Sequence, residues 1–433
     1  MRLPRSFRAR LAFVAAGAFA LRAIWALTIA PEELNHEGDP RFFHLTANLL
    51  VDGHGYIAPV PFLASGTVYP SAEHPPGWSA VLAVFSAVGG RSYEVHELVG
   101  CAVGAGLVVC AGLLGRRVGG VRAGTAAAVI AALYPVYVAL DGSLMSEPPY
   151  ALGVAVCMVL AFRAADGPTL RRAALLGVAI GATVLVRGEA LGLLVVLAIP
   201  AVLAARERRV ARLAVVWLAA LVVFVPWCVR NATTFDRPML VSSEDGPVIA
   251  GANCPLTYSG RDTGYWHSAC VGLRAEFNPA VRSQKLRRQG LDYARDHAGR
   301  LPAVEGVRLL RTFGLWQPVR HVYFAEGRNM PGREAAIACV WLVLALGAAG
   351  AVLLRRRRLE LALLLAPLAL AVVTTLIAFG YSRFRYAADV SLIVLAGVAL
   401  DRALARRRRA APPASPPPTG AAPPAPRREA PRA

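Results

Sequence analysis

Polar side chains that could carry out chemistry stand in short motifs between the long apolar runs of this 433-residue chain. Asp39 lies in a Gly-Asp-Pro turn at the start of a predicted amphipathic helix. A carboxylate at this place could take a proton from a substrate hydroxyl as a general base. It could equally cap the helix by accepting hydrogen bonds from free backbone N–H groups. The turn makes Asp39 the first candidate catalytic residue.

Other motifs combine acids, a histidine and arginines. Glu73 and His74 precede a Pro-Pro pair, where they could bind a divalent cation or a phosphate-bearing headgroup, or simply mark the end of a helix. Asp141 and Glu147 belong to the segment DGSLMSEPPY, which also fits a solvated turn at a membrane interface. The remaining candidates are Arg187 in an Arg-Gly-Glu turn and the group Arg383, Arg385 and Tyr386 in FGYSRFRYAAD.

The composition indicates which elements must position these motifs. Hydrophobic residues make up 56% of the chain and charged residues only 17%, whereas soluble globular proteins have about 25% charged residues. Apolar stretches of about 17 to 21 residues recur along the chain, which is the length needed to cross the hydrocarbon core of a bilayer. This pattern excludes a soluble enzyme and predicts an all-α polytopic integral membrane protein.

The net charge of +20 comes mainly from arginines at the ends of apolar runs. Such placement is typical of topology control rather than of nucleic-acid binding, so no nucleic acid is expected as a partner. The sequence has no G-x-x-x-x-G-K-[ST] motif, which disfavours nucleotide-driven transport.

The apolar runs predict ten membrane spans with both chain termini in the cytoplasm. A further run, 77–90, has only 14 residues. If it crossed the membrane, most of the clustered arginines would face outward, against the positive-inside rule. It is therefore predicted to be a short juxtamembrane helix. The ten spans are 11–30, 96–114, 121–140, 147–165, 171–186, 189–205, 210–228, 336–354, 359–379 and 386–404.

This topology divides the chain into cytoplasmic, membrane and extracytoplasmic parts, among them a small extracytoplasmic α-rich domain. Within that domain two short helices are predicted, separated at Gly299 and Pro302. Cys254 and Cys270 also lie there, so a disulfide between them can form in an oxidising compartment. The parts are the cytoplasmic N-terminus 1–10, the first transmembrane helix 11–30, a first extracytoplasmic loop 31–95 with amphipathic and juxtamembrane helices, transmembrane helices two to seven over 96–228, the extracytoplasmic domain 229–335, transmembrane helices eight to ten over 336–404, and a disordered cytoplasmic Pro/Ala/Arg tail 405–433.

Three arginines depart from the inside bias of the others. Arg187, Arg383 and Arg385 fall on the extracytoplasmic side, where topology does not explain them, so they are strong site candidates. If the segment around Phe384 is not helical, Phe384 can face lipid while both neighbouring guanidiniums face one cleft. A guanidinium presents a planar fork that matches phosphate oxygens.

Taken together, these segments resemble the GT-C glycosyltransferases, specifically the group of protein O-mannosyltransferases and lipid A aminoarabinose transferases (glycosyltransferase family 39). The matching features are the outer-loop acid in GDPRFFHLTANLLVDGHGY, the HPPGW start of a short helix, the LVRGEA turn and the late segment YSRFRYAADVSLIVLAGVAL. The resemblance covers the order of elements over about residues 10–405.

The resemblance implies transfer of a hexose or pentose from a polyprenyl-phosphate donor, at the extracytoplasmic face of the cell membrane and without a nucleotide. It implies that Asp39 is the base that deprotonates the acceptor hydroxyl. Glu73 and His74 would lie near the donor phosphate or a metal, as would Asp141 and the second outer acid, Glu147. Implied donor-phosphate ligands are Arg383, Arg385, Tyr386 and Arg187.

Several points stay open at the level of sequence. Asp39 is followed by Pro40 rather than by a second acid, so a glycan, a lipid and a protein all remain candidate acceptors. A divalent metal ion also remains open as a cofactor. The rival function is a transporter or flippase of lipid-linked sugars, which should show polar or broken helices at mid-membrane. Here the polar motifs gather at the outer edge, which favours glycosyl transfer.

Overall fold

The computed structural model describes residues 6–30, 37–235, 237, 239–272, 278–318 and 333–410. Within these ranges the regular elements are helices, and an isolated β-bridge joins Ile57 and Pro70. The first ten helices are α1 (Phe7–Ile24), α2 (Gly38–Val51), α3 (Pro59–Ser65), α4 (Gly77–Ala87), α5 (Tyr93–Leu133), α6 (Pro135–Leu140), α7 (Glu147–Asp166), α8 (Leu170–Val184), α9 (Leu193–Val196) and α10 (Ala198–Leu203). The others are α11 (Arg209–Phe235), α12 (Asp245–Ala252), α13 (Pro255–Tyr258), α14 (Pro279–Asp296), α15 (Leu301–Thr312), α16 (Arg333–Leu354), α17 (Arg358–Ile377) and α18 (Asp389–Ala410).

The membrane character of the fold is confirmed. In the described part of the chain, six helices are long and apolar enough to cross a membrane by length and composition. They are Phe7–Ile29, Tyr93–Leu133, Glu147–Asp166, Arg209–Phe235, Glu334–Leu354 and Arg358–Ile377. The bundle core is rich in buried alanine, leucine and valine, and small side chains allow its helices to pack closely.

The 41-residue α5 is a helical hairpin that contains the predicted span 96–114 and the first part of 121–140, which is interrupted at Tyr134 before α6. Gly120 has a φ of +87°, which glycine adopts without steric cost. A Cβ added to Gly115 would lie 3.0 Å from the Cβ of Ala127, although twelve residues of straight helix would separate them by about 18 Å. The chain therefore reverses at Gly120, and the two arms pack against each other.

Several boundary predictions are wrong, among them one span and the start of the tail. The predicted span 189–205 is not continuous, because a 3-10 turn (Gly188–Gly192) is followed by α9 and α10, which are separated at Leu197. Pro200 explains the break, since its ring excludes the carbonyl four residues earlier from regular helix geometry. The tail predicted to be disordered from 405 is helical as far as Ala410, as its alanines and arginines favour. The rest of that tail lies outside the described residues.

The first outer loop folds onto the bundle as a platform of short helices. Phe42 and Phe43 of α2 pack with Trp78 and Leu82 of α4 in one buried cluster. The predicted juxtamembrane helix is α4, which has only 11 residues. The loop is fixed from the side by Arg230, which donates to the carbonyl oxygens of residues 56 and 71 at 3.0 and 2.7 Å.

The outer segment after α11 folds into α12 to α15. It begins later than predicted, since α11 continues to Phe235. The predicted pair of helices corresponds to α14 and α15, and the chain breaks between Asp296 and Leu301 as expected. Cys254 and Cys270 form a disulfide in this segment. Arg308 of α15 is buried and donates to the carbonyl oxygens of residues 252 and 376, which ties the disulfide-bonded loop to the end of α17.

Candidate active site

Asp39 lies in the first turn of α2, where the chain leaves the first membrane helix. Glu37 occupies the N-cap position, so Asp39 is not the helix cap. Among the described residues, its carboxylate has two cationic neighbours from distant segments. Oδ1 lies 3.3 Å from Nε2 of His74, and Oδ2 accepts a hydrogen bond of 3.2 Å from Nη2 of Arg383. The side chain is 23% exposed, so a substrate can reach it.

His74 is held in place by residues of the first outer loop. Tyr56 donates its hydroxyl hydrogen to the His74 carbonyl oxygen at 3.0 Å, and the imidazole packs against the rings of Phe42 and Phe43 at centroid distances of 5.0 and 4.8 Å. Gly77 then donates its N–H to the Leu185 carbonyl oxygen at 2.7 Å. Since a Cβ at Gly77 would lie 2.6 Å from that oxygen, glycine is needed here to bring His74 beside the turn that carries Arg187.

Glu147 begins α7 and is buried, with a side chain only 4% exposed. Its Oε1 accepts hydrogen bonds from Nη1 of Arg187, at 2.7 Å, and from Nε of Arg383. Arg187 also binds both carboxylate oxygens of Glu189, at 3.1 and 3.3 Å. The Oε2 atom of Glu147 is buried and has no hydrogen-bond partner among the described residues. One charged cluster thus runs from His74 through Asp39, Arg383, Glu147 and Arg187 to Glu189.

The electrostatics of the cluster follow from these pairings. Burial raises the pKa of Asp39, but the charges and hydrogen bonds of His74 and Arg383 outweigh it and hold that pKa well below its usual range. Burial lowers the pKa of His74, but Asp39 and other nearby carboxylates outweigh it and raise the pKa to about 9. Asp39 is therefore ionised and His74 protonated at neutral pH.

The sequence prediction missed one acid that belongs to this region, Glu244. Ser243 donates its N–H to the Ala72 carbonyl oxygen at 2.8 Å, and the Ser242 hydroxyl donates to the Glu73 carbonyl oxygen at 2.6 Å. The outer segment therefore runs beside the residues that precede His74. Burial and the Glu73 carboxylate raise the pKa of Glu244 to about 7. The acidic pair before Gly-Pro in SSEDGPV is the only sequence signal that pointed to it.

The structure separates Arg385 from Arg383. Arg385 donates to Oδ1 of Asp389 at 2.7 Å and to the Thr312 carbonyl oxygen at 2.9 Å, and its side chain is only 3% exposed. Phe384 is also buried. The arrangement in which both guanidiniums face one cleft and Phe384 faces lipid required a non-helical segment, and it does not occur. Residues 382–385 form a 3-10 turn, and in three residues per turn side chains two apart point in different directions.

Asp141 and Tyr386 belong to a second buried network inside the bundle. The Tyr386 hydroxyl donates to Oδ1 of Asp141, and the Arg22 guanidinium donates to Oδ2. Arg22 also donates to the carbonyl oxygens of residues 131 and 132, each at 3.0 Å. Gly104 makes room for this pair, because a Cβ there would overlap the Asp141 carboxylate. Asp141 is 1% exposed, and its carboxylate contacts are made with Arg22 and Tyr386 rather than with members of the Asp39 cluster.

A metal site fits these residues poorly. In the described ranges no group of three or more His, Cys, Asp or Glu side chains is placed to hold a metal ion. Asp39 and Glu147 are the two acids that Arg383 bridges. Both already face cationic side chains, which repel a divalent cation.

The fold and this cluster define a polytopic all-α membrane protein in which acids and arginines from four separate segments, with His74 from a fifth, gather at one end of the bundle. Residues 73–229 match the family of dolichyl-phosphate-mannose-protein mannosyltransferases. The resemblance to GT-C glycosyltransferases found in the sequence is thereby confirmed. No curated protein matches the sequence.

Solved structures with a similar fold include the archaeal oligosaccharyltransferase AglB from Archaeoglobus fulgidus. Its complex with an inhibitory peptide and a dolichol-phosphate is 15% identical, with a TM-score of 0.51, over 94% of this chain and 52% of AglB. The apo oligosaccharyltransferase from the same organism is 14% identical, with a TM-score of 0.54, over 92% and 51% of the two chains. ArnT from Cupriavidus metallidurans bound to undecaprenyl phosphate is 16% identical, with a TM-score of 0.43, over 92% and 79%. The chain spans about half the length of AglB.

Proposed function

We propose that this protein transfers a sugar from a polyprenyl-phosphate donor to the hydroxyl group of an extracytoplasmic acceptor. The observation that carries the proposal is Arg383, which contacts two carboxylates, Asp39 and Glu147, at the membrane end opposite the clustered arginines. One acid, one phosphate-matching guanidinium and a buried second acid in contact are the groups that such a transfer needs. The family match over residues 73–229 supports the same chemistry.

The proposed reaction uses Asp39 as the general base. Asp39 accepts the proton of the acceptor hydroxyl as its oxygen attacks the anomeric carbon of the donor sugar. The bond from that carbon to the phosphate oxygen breaks, and the polyprenyl phosphate leaves with the electron pair. The leaving group gains negative charge in the transition state, so a guanidinium at its oxygens stabilises the transition state more than the ground state.

The donor phosphate is assigned to Arg383, with Arg187 next to it across Glu147. The Oε2 atom of Glu147, which has no partner among the described residues, can accept a hydrogen bond from a sugar hydroxyl. Arg385 and Tyr386 are not retained as phosphate ligands, because both are buried in other contacts. The location of the site at the extracytoplasmic face follows from the positive-inside rule.

The test is turnover of the Asp39→Asn variant. Loss of a general base is expected to reduce the rate by about 10² to 10⁴-fold. In cells lacking the wild-type protein, the variant should leave a glycan missing and its polyprenyl-phosphate sugar accumulated, as measured by mass spectrometry. Asp52→Asn is the matched control, since Asp52 ends the same helix and pairs with the exposed Arg91 at 2.8 Å. Activity of Asp39→Asn within about threefold of the control would remove Asp39 from the mechanism.

The leaflet on which the donor accumulates separates transfer from transport. A transferase leaves donor accumulated on the extracytoplasmic leaflet when Asp39 is replaced. A flippase would instead leave the donor on the cytoplasmic leaflet, and replacing Asp39 would not change the transfer of donor that is supplied from outside.

A further inference from the structure

The arginines and acids of the charged cluster form ion pairs with one another. Arg383 bonds to Glu147 through Nε and to Asp39 through Nη2, and these are two of the nitrogens with which a guanidinium makes a fork to a phosphate. A phosphate that approaches this edge meets two carboxylates already in place. Like charges at such distances repel each other, so phosphate and carboxylates cannot all remain bound at full strength.

We propose that the donor phosphate displaces Asp39 from Arg383, so that the donor itself releases the general base and the acceptor is activated only when the donor is in place. This inference rests on the proposed function, since it assumes that Arg383 binds the donor phosphate. It adds an order to the reaction and a resting state in which the catalytic acid is held by an internal ion pair.

The two carboxylates differ in how firmly they are held, and the difference identifies Asp39 as the one that gives way. Glu147 is 4% exposed and keeps a second arginine, Arg187, at 2.7 Å when Arg383 turns to the phosphate. Asp39 is 23% exposed, and its other ionic contact among the described residues is His74 at a longer 3.3 Å. Asp39 can therefore leave Arg383 and gain contact with water or the acceptor at little cost.

The displacement also changes the chemistry of Asp39 in the required direction. With Arg383 beside it, Asp39 binds a proton too weakly to serve well as a base. When the Arg383 charge is shared with a phosphate, the pKa of Asp39 rises towards its ordinary range, because an opposite charge next to the carboxylate has been neutralised. His74 keeps the carboxylate oriented during this change.

The inference makes a counter-intuitive prediction about affinity. Replacing the catalytic acid removes a competitor for Arg383, so Asp39→Asn should bind the donor headgroup more tightly while losing turnover. Two probes are titrated by calorimetry against the full chain in detergent: farnesyl phosphate and inorganic phosphate. The expected gain in affinity for Asp39→Asn is on the order of tenfold with both probes. Asp52→Asn should leave both affinities unchanged, since its partner Arg91 lies outside the cluster.

Further variants make each outcome decisive. Asp39→Ala is measured beside Asp39→Asn, and thermal unfolding identifies the variant that is folded. An affinity that is unchanged or weaker in the folded variant overturns the inference. A gain with farnesyl phosphate alone would place the effect in the prenyl chain and would also overturn it. Arg383→Ala tests the proposed function separately. If Arg383→Ala binds both probes as wild type does, the phosphate assignment itself fails. If it binds them weakly while Asp39→Asn is unchanged, only the competition fails.

Discussion

Two arginines separated by one residue are expected to have opposite roles, and this can be tested with two substitutions. Arg383 is 19% exposed and contacts the Asp39 cluster, whereas Arg385 is 3% exposed and contacts Asp389, which is 1% exposed. Arg383→Ala should weaken donor binding with little loss of stability. Arg385→Ala should destabilise the protein and leave the donor affinity of the folded fraction unchanged.

The magnitudes follow from burial. Removing one partner of a buried ion pair costs about 3–5 kcal/mol, because the other charge is left without compensation. Asp389 would keep the Tyr134 hydroxyl at 2.9 Å but would lose its cation. For Arg383, each charge-assisted hydrogen bond to a phosphate contributes about 1.5–3 kcal/mol. Loss of that contribution raises the dissociation constant by about 10- to 100-fold.

The assay uses the same preparation of each variant for both measurements. Thermal unfolding in detergent gives the stability, and titration with farnesyl phosphate gives the affinity. Arg383→Lys distinguishes recognition from charge, since an ammonium keeps the charge but loses the planar fork. Weakened donor binding by Arg385→Ala at unchanged stability would refute the assignment of the two arginines, as would unchanged binding by Arg383→Ala.

Three further results are expected. Burial and a neighbouring carboxylate raise the pKa of Glu244 to about 7, so between about pH 4.5 and 7 the folded state binds a proton that the unfolded state has lost. Wild type should therefore lose stability as the pH rises through this window, and Glu244→Gln should not. The same dependence of stability on pH in both proteins would contradict the prediction. Arg22→Met should destabilise the bundle by about 3–5 kcal/mol, because it leaves the fully buried Asp141 carboxylate without its cation. The double variant Arg22→Met/Asp141→Leu should recover most of this loss, as measured by thermal unfolding. Equal stability of the single and double variants would argue against the pairing. Cys254→Ser should lower the free energy of unfolding of the outer domain by about 3 kcal/mol, as expected for opening a cross-link between cysteines 16 residues apart. Limited proteolysis should then cleave this domain faster in the variant. Reductant should speed cleavage of wild type to the same extent and should not change cleavage of the variant.

The long apolar helices and the platform helices were predictable because they depend on local sequence, and six helices of the described chain are long and apolar enough to cross a membrane. Long apolar runs require a membrane, and clustered arginines at their ends set the orientation. The Gly-Asp-Pro turn correctly predicted the start of α2, and the short run at 77–90 correctly predicted α4. The break in 189–205 also has a local cause, Pro200, but a prediction from length and hydrophobicity alone does not detect it.

The partners of charged side chains were not predictable, because they join segments far apart in the chain. Asp39 and Arg383 are 344 residues apart and yet form one ion pair. Sequence alone treated Arg383 and Arg385 as equivalent, since both are arginines on the outer side. The 3-10 turn between them and the position of Asp389 decide which one reaches the cluster.

The sequence by itself therefore determined the class of fold and the motifs from which a site could be built, whereas the membrane orientation stays a prediction. Only the tertiary structure decided which of those motifs meet. Asp141 bonds to Arg22 and Tyr386 in a separate buried network, and Glu244 was added to the region of the cluster by the path of the outer segment. The physical reason is that hydrophobic length acts along the chain, whereas ion pairing acts through space between residues that the packed bundle brings within about 3 Å of each other.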